Sequence, residues 1–150
     1  MSTDNLQRFG QQLRGYLATV PRAMGIAVVE EAANNFRRQG YEDEVGAVVP
    51  WAPRKQGDTV KSRRKADKGK RVPNPRQRAI LVKTGRLRRS IRIVATTATS
   101  VTVGSSEPYA EALQDGNDRG MPARPFITVG RSLREKLTKK IVARITGLIK

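Results

Sequence analysis

The chain has 150 residues, of which 37% are apolar and 5% aromatic, and this predicts one domain with a small, mainly aliphatic core. Thirty basic residues against thirteen acidic ones give a net charge of +17, which predicts attraction to polyanions or acidic protein surfaces and strong salt dependence. The absence of cysteine and histidine excludes disulfides and thiolate chemistry, and removes the commonest general base and metal ligand.

The sequence shows no membrane-spanning or targeting pattern. No run approaches the ~18 uninterrupted apolar residues that a bilayer span needs. The opening residues, Met-Ser-Thr-Asp-Asn, have neither the basic nor the apolar region of a signal peptide. We therefore expect synthesis in a reducing cytoplasm and no membrane partner.

The first 40 residues have the periodicity of an amphipathic helix. Pro21 interrupts the pattern, so we expect either one kinked helix or two consecutive helices over about 4–39, ending near Gly40. The apolar stripe faces the core, or in part a neighbouring subunit. Its residues recur at steps of three and four: Leu6, Phe9, Leu13, Tyr16, Val20, Met24, Val28, Ala32 and Phe36.

Residues 41–79 differ in kind from the helix before them. Four prolines interrupt regular structure, and 54–78 contain eleven basic residues against two acidic ones. We expect 41–79 to be an irregular, strongly basic insertion in a single domain of residues 1–150. Within it, 54–78 should be an extended, mobile arm that orders against a partner. Trp51, at its base, is either a core anchor or an interface hot spot.

Two strand patterns follow. Apolar and polar residues nearly alternate over 87–93, and β-branched residues alternate over 99–104. They predict an antiparallel hairpin over about 87–105 with its turn at 96–98. Because a lone hairpin is marginally stable, it needs a helix on one face and a further strand, from this chain or from a neighbouring subunit.

The last part of the chain is expected to be helical. Residues 108–113 form a short helix or turn, and 126–129 are either a third strand or the lead into a final helix. That helix opens with the capping box Ser132-x-x-Glu135. Its apolar face comprises Leu133, Leu137, Ile141, Ile145 and Leu148. The fold class is therefore α+β: an N-terminal helix or kinked helix pair, a small antiparallel sheet built on the hairpin, and a C-terminal helix, with a long basic loop before the sheet.

The turn before the hairpin carries the most distinctive residues. Gly85 should adopt a backbone conformation that a Cβ would obstruct, and Thr84 should hydrogen-bond the turn. The arginines after it lie too close together to be buried as a group. They form either a solvated face or an interface with acidic protein or DNA: Arg86, Arg88, Arg89 and Arg92.

Two later segments, Tyr109-Ala110 and Arg124-Pro125-Phe126, are packing signals. Because the chain has only seven aromatic residues, core positions are favoured for both aromatic side chains. The arginine is held extended by the proline after it. We expect it to pair with a carboxylate: Glu107, Glu111 or Asp115.

In this order and spacing, the segments resemble the virion morphogenesis proteins of tailed bacteriophages, small tail-completion or neck proteins that help to join head and tail. That family reads roughly as Leu-x-x-Thr-Gly-x-Leu-x-x-Ser-Ile, a strand pair, a Tyr-Ala element ending in Gly, and an Ala-Arg-Pro-Phe turn into a final helix. The resemblance covers residues 81–130 best. It is carried by Thr84, Gly85, Leu87, Ser90, Tyr109, Ala110, Gly116, Pro122, Arg124, Pro125 and Phe126. Many members have a histidine where this chain has Leu113-Gln114.

The resemblance implies a structural virion protein of the head–tail neck, assembled in the host cytoplasm. It implies a cyclic ring, a hexamer first and a dodecamer second, that contacts neck, connector or tail-terminator proteins. It implies no catalytic residue, cofactor or metal. Candidates for contact with a partner or with packaged DNA are Lys61, Arg63, Arg64, Lys65, Lys68, Lys70, Arg71, Arg86, Arg88 and Arg89.

An enzyme is not expected. Gly69-Lys70 lacks the other residues of a P-loop, and Glu30-Glu31 point to different faces of a helix. The alternative to a neck protein is a stand-alone basic nucleic-acid-binding protein, of ribosomal or DNA-packaging type. Against it, the basic arm lacks aromatic residues for base stacking, and no zinc knuckle, helix–turn–helix or RNA-recognition signature is present.

Overall fold

A computed structural model describes residues 3–54, 59–61, 71–73 and 79–149. These residues form a mixture of helices and short antiparallel hairpins, which confirms the α+β class. None of the helices in this part of the chain is long and apolar enough to cross a membrane. The elements are α1 (Thr3–Arg38), β1 (Gly40–Glu42), β2 (Val48–Pro50), β3 (Thr59–Lys61), β4 (Arg71–Pro73), α2 (Arg86–Ser90), β5 (Ile91–Thr96), β6 (Val101–Ser105), α3 (Ala110–Asp115) and α4 (Arg131–Ile149).

The N-terminal helix is a single element, so the alternative of two consecutive helices is wrong. Pro21 lies inside α1 and does not end it. The helix ends at Arg38, because Gln39 takes the left-handed conformation (φ 56°) that commonly closes a helix. The side-chain amide of Gln39 donates to the Phe36 carbonyl oxygen (2.6 Å), which satisfies one of the free carbonyls of the last turn.

The core lies where the C-terminal half of α1 meets the segments around β5 and α3. Phe36 is at its centre: its ring contacts Trp51 edge-on (centroids 5.4 Å apart) and Phe126 at a tilt (5.8 Å). Trp51 is buried and its indole N–H donates to the Pro125 carbonyl oxygen (2.8 Å), so it is a core anchor. The buried cluster comprises Ala32, Phe36, Trp51, Leu87, Ile91, Ala110 and Phe126.

The main hairpin is shorter than predicted. Residues 86–90 form α2, so the expectation of a strand from residue 87 is wrong, and β5 begins at Ile91. Leu87 in α2 and Ile91, the first residue of β5, are both buried. The strands β5 and β6 pair antiparallel with an irregularity between Ile93 and Ala95.

Residues 97–100 connect the two strands, slightly later than the predicted turn at 96–98. The Thr97 hydroxyl accepts hydrogen bonds from the backbone N–H groups of Ser100 (3.0 Å) and Thr99 (3.3 Å). A threonine side chain therefore organises a turn that lacks glycine and asparagine.

Two further hairpins correct the expectation of irregular structure over 41–79. β1 pairs with β2, and β3 pairs with β4, both antiparallel. Pro50 and Pro73 end their strands, positions that a sheet tolerates because proline lacks an N–H group. Within the described residues the strands form three separate two-stranded sheets, and 126–129 lead into α4 without joining them. The rest of the predicted arm, 55–58, 62–70 and 74–78, lies outside the described residues.

The C-terminal helix starts without the predicted capping box. The Ser132 N–H donates to the Glu42 carboxylate (2.7 Å), and Glu135 accepts from the Arg131 guanidinium (2.8 Å). An acid from β1, 90 residues away, thus caps the helix in place of the local pair. On the predicted apolar face of α4, Leu133 is buried and the other four residues are half-buried. This helix packs against α1.

Candidate interaction site

The turn before α2 has the backbone that its sequence predicts. Gly85 is left-handed (φ 72°), and a Cβ there would lie 2.8 Å from Nη1 of Arg89. The Thr84 hydroxyl accepts from the Arg86 N–H (3.4 Å), and the Thr84 carbonyl oxygen accepts from the Arg89 guanidinium (3.1 Å). Arg89 therefore braces the turn from the first helical residues after it.

Ser90 joins α2 to the hairpin. Its hydroxyl bonds the Leu87 carbonyl oxygen (2.8 Å) and lies 2.6 Å from the Ser105 hydroxyl, at the end of β6. The motif residues Thr84, Gly85, Leu87 and Ser90 thus set the angle between a loop, a short helix and a strand.

Arg124 has different partners from those predicted. It is only 7% exposed, and its Nε and Nη2 atoms donate to the carbonyl oxygens of Ala52 (2.9 Å) and Pro53 (3.1 Å). The expected pairing with Glu107, Glu111 or Asp115 is wrong, because the chain after β2 crosses this position and offers its backbone carbonyls. Arg124 thereby ties the loop after β2 to the segment before α4.

One amino group of Arg124 stays available. Nη1 takes part in neither of these bonds, and every buried side-chain nitrogen or oxygen of the described residues has a partner. Arg124 also contributes to the lining of a groove.

The segment around Phe126 is held by two amides that sequence reasoning missed. The Gln114 side-chain oxygen accepts from the N–H groups of Phe126 (3.0 Å) and Ile127 (3.1 Å), and its nitrogen donates to the Ile127 carbonyl oxygen (3.0 Å). The fully buried Asn35 donates to the Phe126 carbonyl oxygen (3.1 Å) and to the Thr128 hydroxyl (2.9 Å). An asparagine on the apolar stripe of α1 was the available signal for the second of these.

The link from α3 to Arg124 depends on Gly116. Its φ of 81° and ψ of −173° occur almost exclusively in glycine, and a Cβ would lie 2.7 Å from the Met121 carbonyl oxygen. The chain then folds back, with Asn117 and Met121 bridged, and Pro122 and Pro125 flank the arginine segment. The Arg124 N–H donates to the Leu113 carbonyl oxygen (2.9 Å), which places the guanidinium beside the loop after β2.

These elements enclose a groove of about 440 Å³ between the Thr84–Gly85 turn and Tyr109. Leucine and isoleucine side chains contribute its apolar surface, and four cationic residues line it. Five of the family-motif residues meet here, together with the contact candidate Arg86: Thr84, Gly85, Leu87, Tyr109 and Arg124. The other lining residues are Arg54, Ile80, Leu81, Lys83 and Leu113.

Tyr109 lies at the edge of this groove. It is 42% exposed, so the predicted core position is wrong, whereas Ala110 beside it is buried in the core. Partial desolvation, and then a hydrogen bond with the Glu107 carboxylate, raise the pKa of the Tyr109 hydroxyl above its ordinary value. The hydroxyl is therefore neutral at physiological pH and can form hydrogen bonds at the groove edge.

The predicted basic contact residues fall into three groups. Arg86 forms an ion pair with Glu107 (3.3 Å), Arg89 braces the turn, and Arg88 and Arg92 are solvated. In the hairpin of β3 and β4 the register places Lys61 opposite Arg71. Arg63, Arg64, Lys65, Lys68 and Lys70 lie outside the described residues.

A second basic surface, on α4, was not among the sequence candidates. Its cationic residues are exposed. The surface also includes one acidic residue, Glu135, and the hydrogen bond that its carboxylate accepts from the Arg131 guanidinium lowers the pKa of Glu135. Basic residues between the apolar positions of a helix were the available signal. They are Arg131, Arg134, Lys136, Lys139, Lys140 and Arg144.

Among the described residues, no group of three or more acidic side chains is arranged to hold a metal ion. The groove therefore offers cations, apolar surface and backbone polar groups as its binding chemistry. This combination suits a peptide segment that carries carboxylates and an aliphatic side chain.

The comparisons with known proteins agree with the resemblance carried by these segments. A search of curated proteins and of solved structures gave no significant match. The model of the phage virion morphogenesis family matches residues 3–146, nearly the whole chain, including α1 and α4. The protein therefore belongs to the phage virion morphogenesis family and has a structural role in the assembly of a bacteriophage particle.

Proposed function

We propose that the protein is a non-enzymatic component of the head–tail neck, that it assembles as a ring, with a hexamer as the first expectation, and that it joins the phage head to the tail. Membership of the family supports a role in virion assembly. The observation that supports a ring is that part of the apolar surface of α1 is not covered by other elements of the same chain.

The helices α1 and α4 differ in length. At 1.5 Å per residue, the 36 residues of α1 span about 54 Å and the 19 residues of α4 about 28 Å. The end of α4, at Arg144 and Leu148, lies beside Gln12 to Thr19 of α1. The first two turns of α1 therefore extend beyond α4.

One face of α1 keeps an apolar character at exposed positions. Leu6 is 62% exposed, and Leu17 and Met24, which the helix period places on the same face, are also exposed. Scattered apolar residues are normal on a surface, whereas a series along one helix marks a protein interface. We assign this surface to a neighbouring subunit, because closed cyclic symmetry is the usual way for a small chain to encircle a tube.

The charge of +17 fits this position. Exposed cations on α4 and α2 provide a surface for the end of the packaged DNA or for an acidic connector protein. The association should weaken as salt rises, since such contacts release counterions.

Electron microscopy of a lysate in which only this gene is disrupted tests the joining role. We expect separate full heads and finished tails, and joined particles when the intact gene is supplied in trans. Intact, infectious particles from the disrupted gene would refute the neck proposal and favour the stand-alone nucleic-acid-binding alternative.

Native mass spectrometry tests the ring. Leu17→Asp should weaken self-association because it places a charge on the proposed interface, and Gln11→Asp is its matched control, since it adds the same charge at an exposed polar position of the same helix. Equal effects of the two substitutions would assign the loss to charge alone and contradict the interface.

A further inference from the structure

The turn between β1 and β2 is acidic and carries an exposed aliphatic side chain, which complements the basic and apolar lining of the groove. Residues 42–44 are three consecutive acids in a chain with thirteen, and Val45 follows them. The Glu44 side chain is 84% exposed and Val45 is 75% exposed. A carboxylate and an aliphatic side chain are thus exposed at adjacent positions of this turn, in a protein that is basic as a whole.

The backbone of this turn is pre-organised. The Asp43 carboxylate accepts from the N–H groups of Val45 (2.9 Å) and Ala47 (2.8 Å), and the Asp43 N–H donates to the Ala47 carbonyl oxygen (3.0 Å). The Asp43 carbonyl oxygen also accepts from the Arg131 N–H (3.2 Å), which attaches the turn to the start of α4. Because its backbone is already ordered, the tip loses little conformational entropy when it binds.

The groove offers the complementary groups. Its apolar surface includes Leu81 and Leu87, and its cations include the exposed Lys83 and the largely buried Arg124, whose Nη1 takes no part in the two bonds to backbone carbonyls. A guanidinium that is already held by two backbone carbonyls is a pre-oriented donor for a carboxylate. A volume of about 440 Å³ suits the tip of a turn.

We propose that the Asp43–Val45 turn of one copy docks in the groove of the next copy. Val45 then lies on the apolar surface, and the Glu44 carboxylate accepts hydrogen bonds from Lys83 and from Nη1 of Arg124. The two patches share no residue, so each copy can donate a turn and receive one. A head-to-tail contact of this type closes into a ring when the rotation permits, and the inference therefore rests on the proposed ring.

The bond that Glu44 makes within its own chain is no obstacle. Glu44 accepts from the Arg134 guanidinium (3.0 Å), and both side chains are more than half exposed. Exposed pairs of this kind contribute little to stability, so the carboxylate can exchange partners. Arg134→Gln removes the same pair and leaves Glu44 intact, which makes it the control for substitutions of Glu44.

Sedimentation measurements on the full chain test the contact in two pairs of variants. Glu44→Gln with Val45→Asp (the turn variant) should weaken self-association by at least about tenfold, because it removes the carboxylate that the groove binds and places a charge on the apolar surface. Lys83→Glu (the groove variant) should have an effect of the same size, because two carboxylates then face each other. Arg134→Gln, and Lys139→Glu on the exposed face of α4, should associate as the unchanged protein does. Lys139→Glu makes the same charge change as the groove variant.

A mixture of the two defective variants gives the sharpest result. The groove variant still has an intact turn and the turn variant an intact groove, so one good contact remains and the mixture should form heterodimers and nothing larger. Normal assembly of either variant alone, or assemblies larger than dimers in the mixture, would overturn the docking. The docking would also be overturned if the unchanged protein stayed monomeric at about 0.1 mM, a concentration far above a micromolar Kd.

The gene-disruption experiment separates this inference from the proposed function. Joined particles that need the gene, together with normal self-association of both variants, would leave the neck role standing and refute the docking. A groove variant that self-associates normally but fails to complement the disrupted gene would assign the groove to a different virion protein, which also refutes it.

Discussion

Replacing Gly116 by alanine should destabilise the protein strongly, because two costs coincide there. The backbone of Gly116 (φ 81°, ψ −173°) lies in a region that residues with a Cβ adopt only at a cost of about 1–3 kcal/mol. The new Cβ would also lie 2.7 Å from the Met121 carbonyl oxygen and 3.0 Å from the Ala123 nitrogen. Both are backbone atoms, so a side-chain rotation cannot relieve the contact.

The two costs add to a loss of about 2–6 kcal/mol, if relief of the overlap costs the 1–3 kcal/mol typical of overpacking. Gly46→Ala is the matched control. Gly46 also has a positive φ (95°), but the nearest atom to its Cβ position is 3.5 Å away. It should therefore lose only the conformational part, about 1–2 kcal/mol.

Urea unfolding followed by the fluorescence of Trp51, which is buried and is the single tryptophan, measures both losses. The difference between the two midpoints, at an equal slope, isolates the backbone overlap. If Gly116→Ala loses no more than Gly46→Ala, the close approach of Met121 to Gly116 does not constrain the fold and the reasoning fails.

Three further predictions concern other positions. Gly15→Ala should raise the free energy of unfolding by about 0.5–1 kcal/mol, because nothing lies within 4 Å of the added Cβ. Gly25→Ala should be about 1–3 kcal/mol less stable than Gly15→Ala, because its Cβ would lie 2.6 Å from the Val101 side chain. Equal urea midpoints of the two variants would contradict this. Asn35→Ala and Asn35→Leu should each cost about 1–3 kcal/mol in urea unfolding, because both remove the buried amide, and full stability of the leucine variant would contradict this. Glu135→Gln should lower Tm at neutral pH and leave it unchanged in strong acid. Because the pKa of Glu135 in the folded protein lies below its ordinary 4.5, its carboxylate stabilises the folded protein above pH 4.5, and this stabilisation is lost as pH falls through the lowered pKa. A Tm difference that persists in acid would refute the prediction.

Local features of the fold were predictable because neighbouring residues determine them. The periodicity of apolar residues placed α1, and Gly85 after Thr84 indicated the left-handed turn before α2. The pattern from Leu87 to Ile91 was ambiguous, because a near-alternation over so few residues also fits one helical turn. In the structure Leu87 enters the core from α2 and Ile91 from the first position of β5.

The candidate site was predictable only in part. Its motif residues were recognisable, but their partners were not. Arg124 was expected near carboxylates and binds carbonyl oxygens 71 and 72 residues away, and Tyr109 was expected in the core and lies at the groove edge. The acidic tip at Glu44 and Val45 became a candidate ligand only when its exposure was known.

The sequence by itself determined the fold class, the helix periodicity, the left-handed glycine, the excess of positive charge and the resemblance to phage virion morphogenesis proteins. These properties depend on composition or on residues a few positions apart. The tertiary structure alone decided which groups meet: the Glu42 carboxylate at the start of α4, the Asn35 amide on Phe126, and the cations around the groove. The first two contacts join residues 90 and 91 positions apart, and the groove cations come from positions 54 to 124, so all three depend on how the elements pack together and no local pattern encodes them.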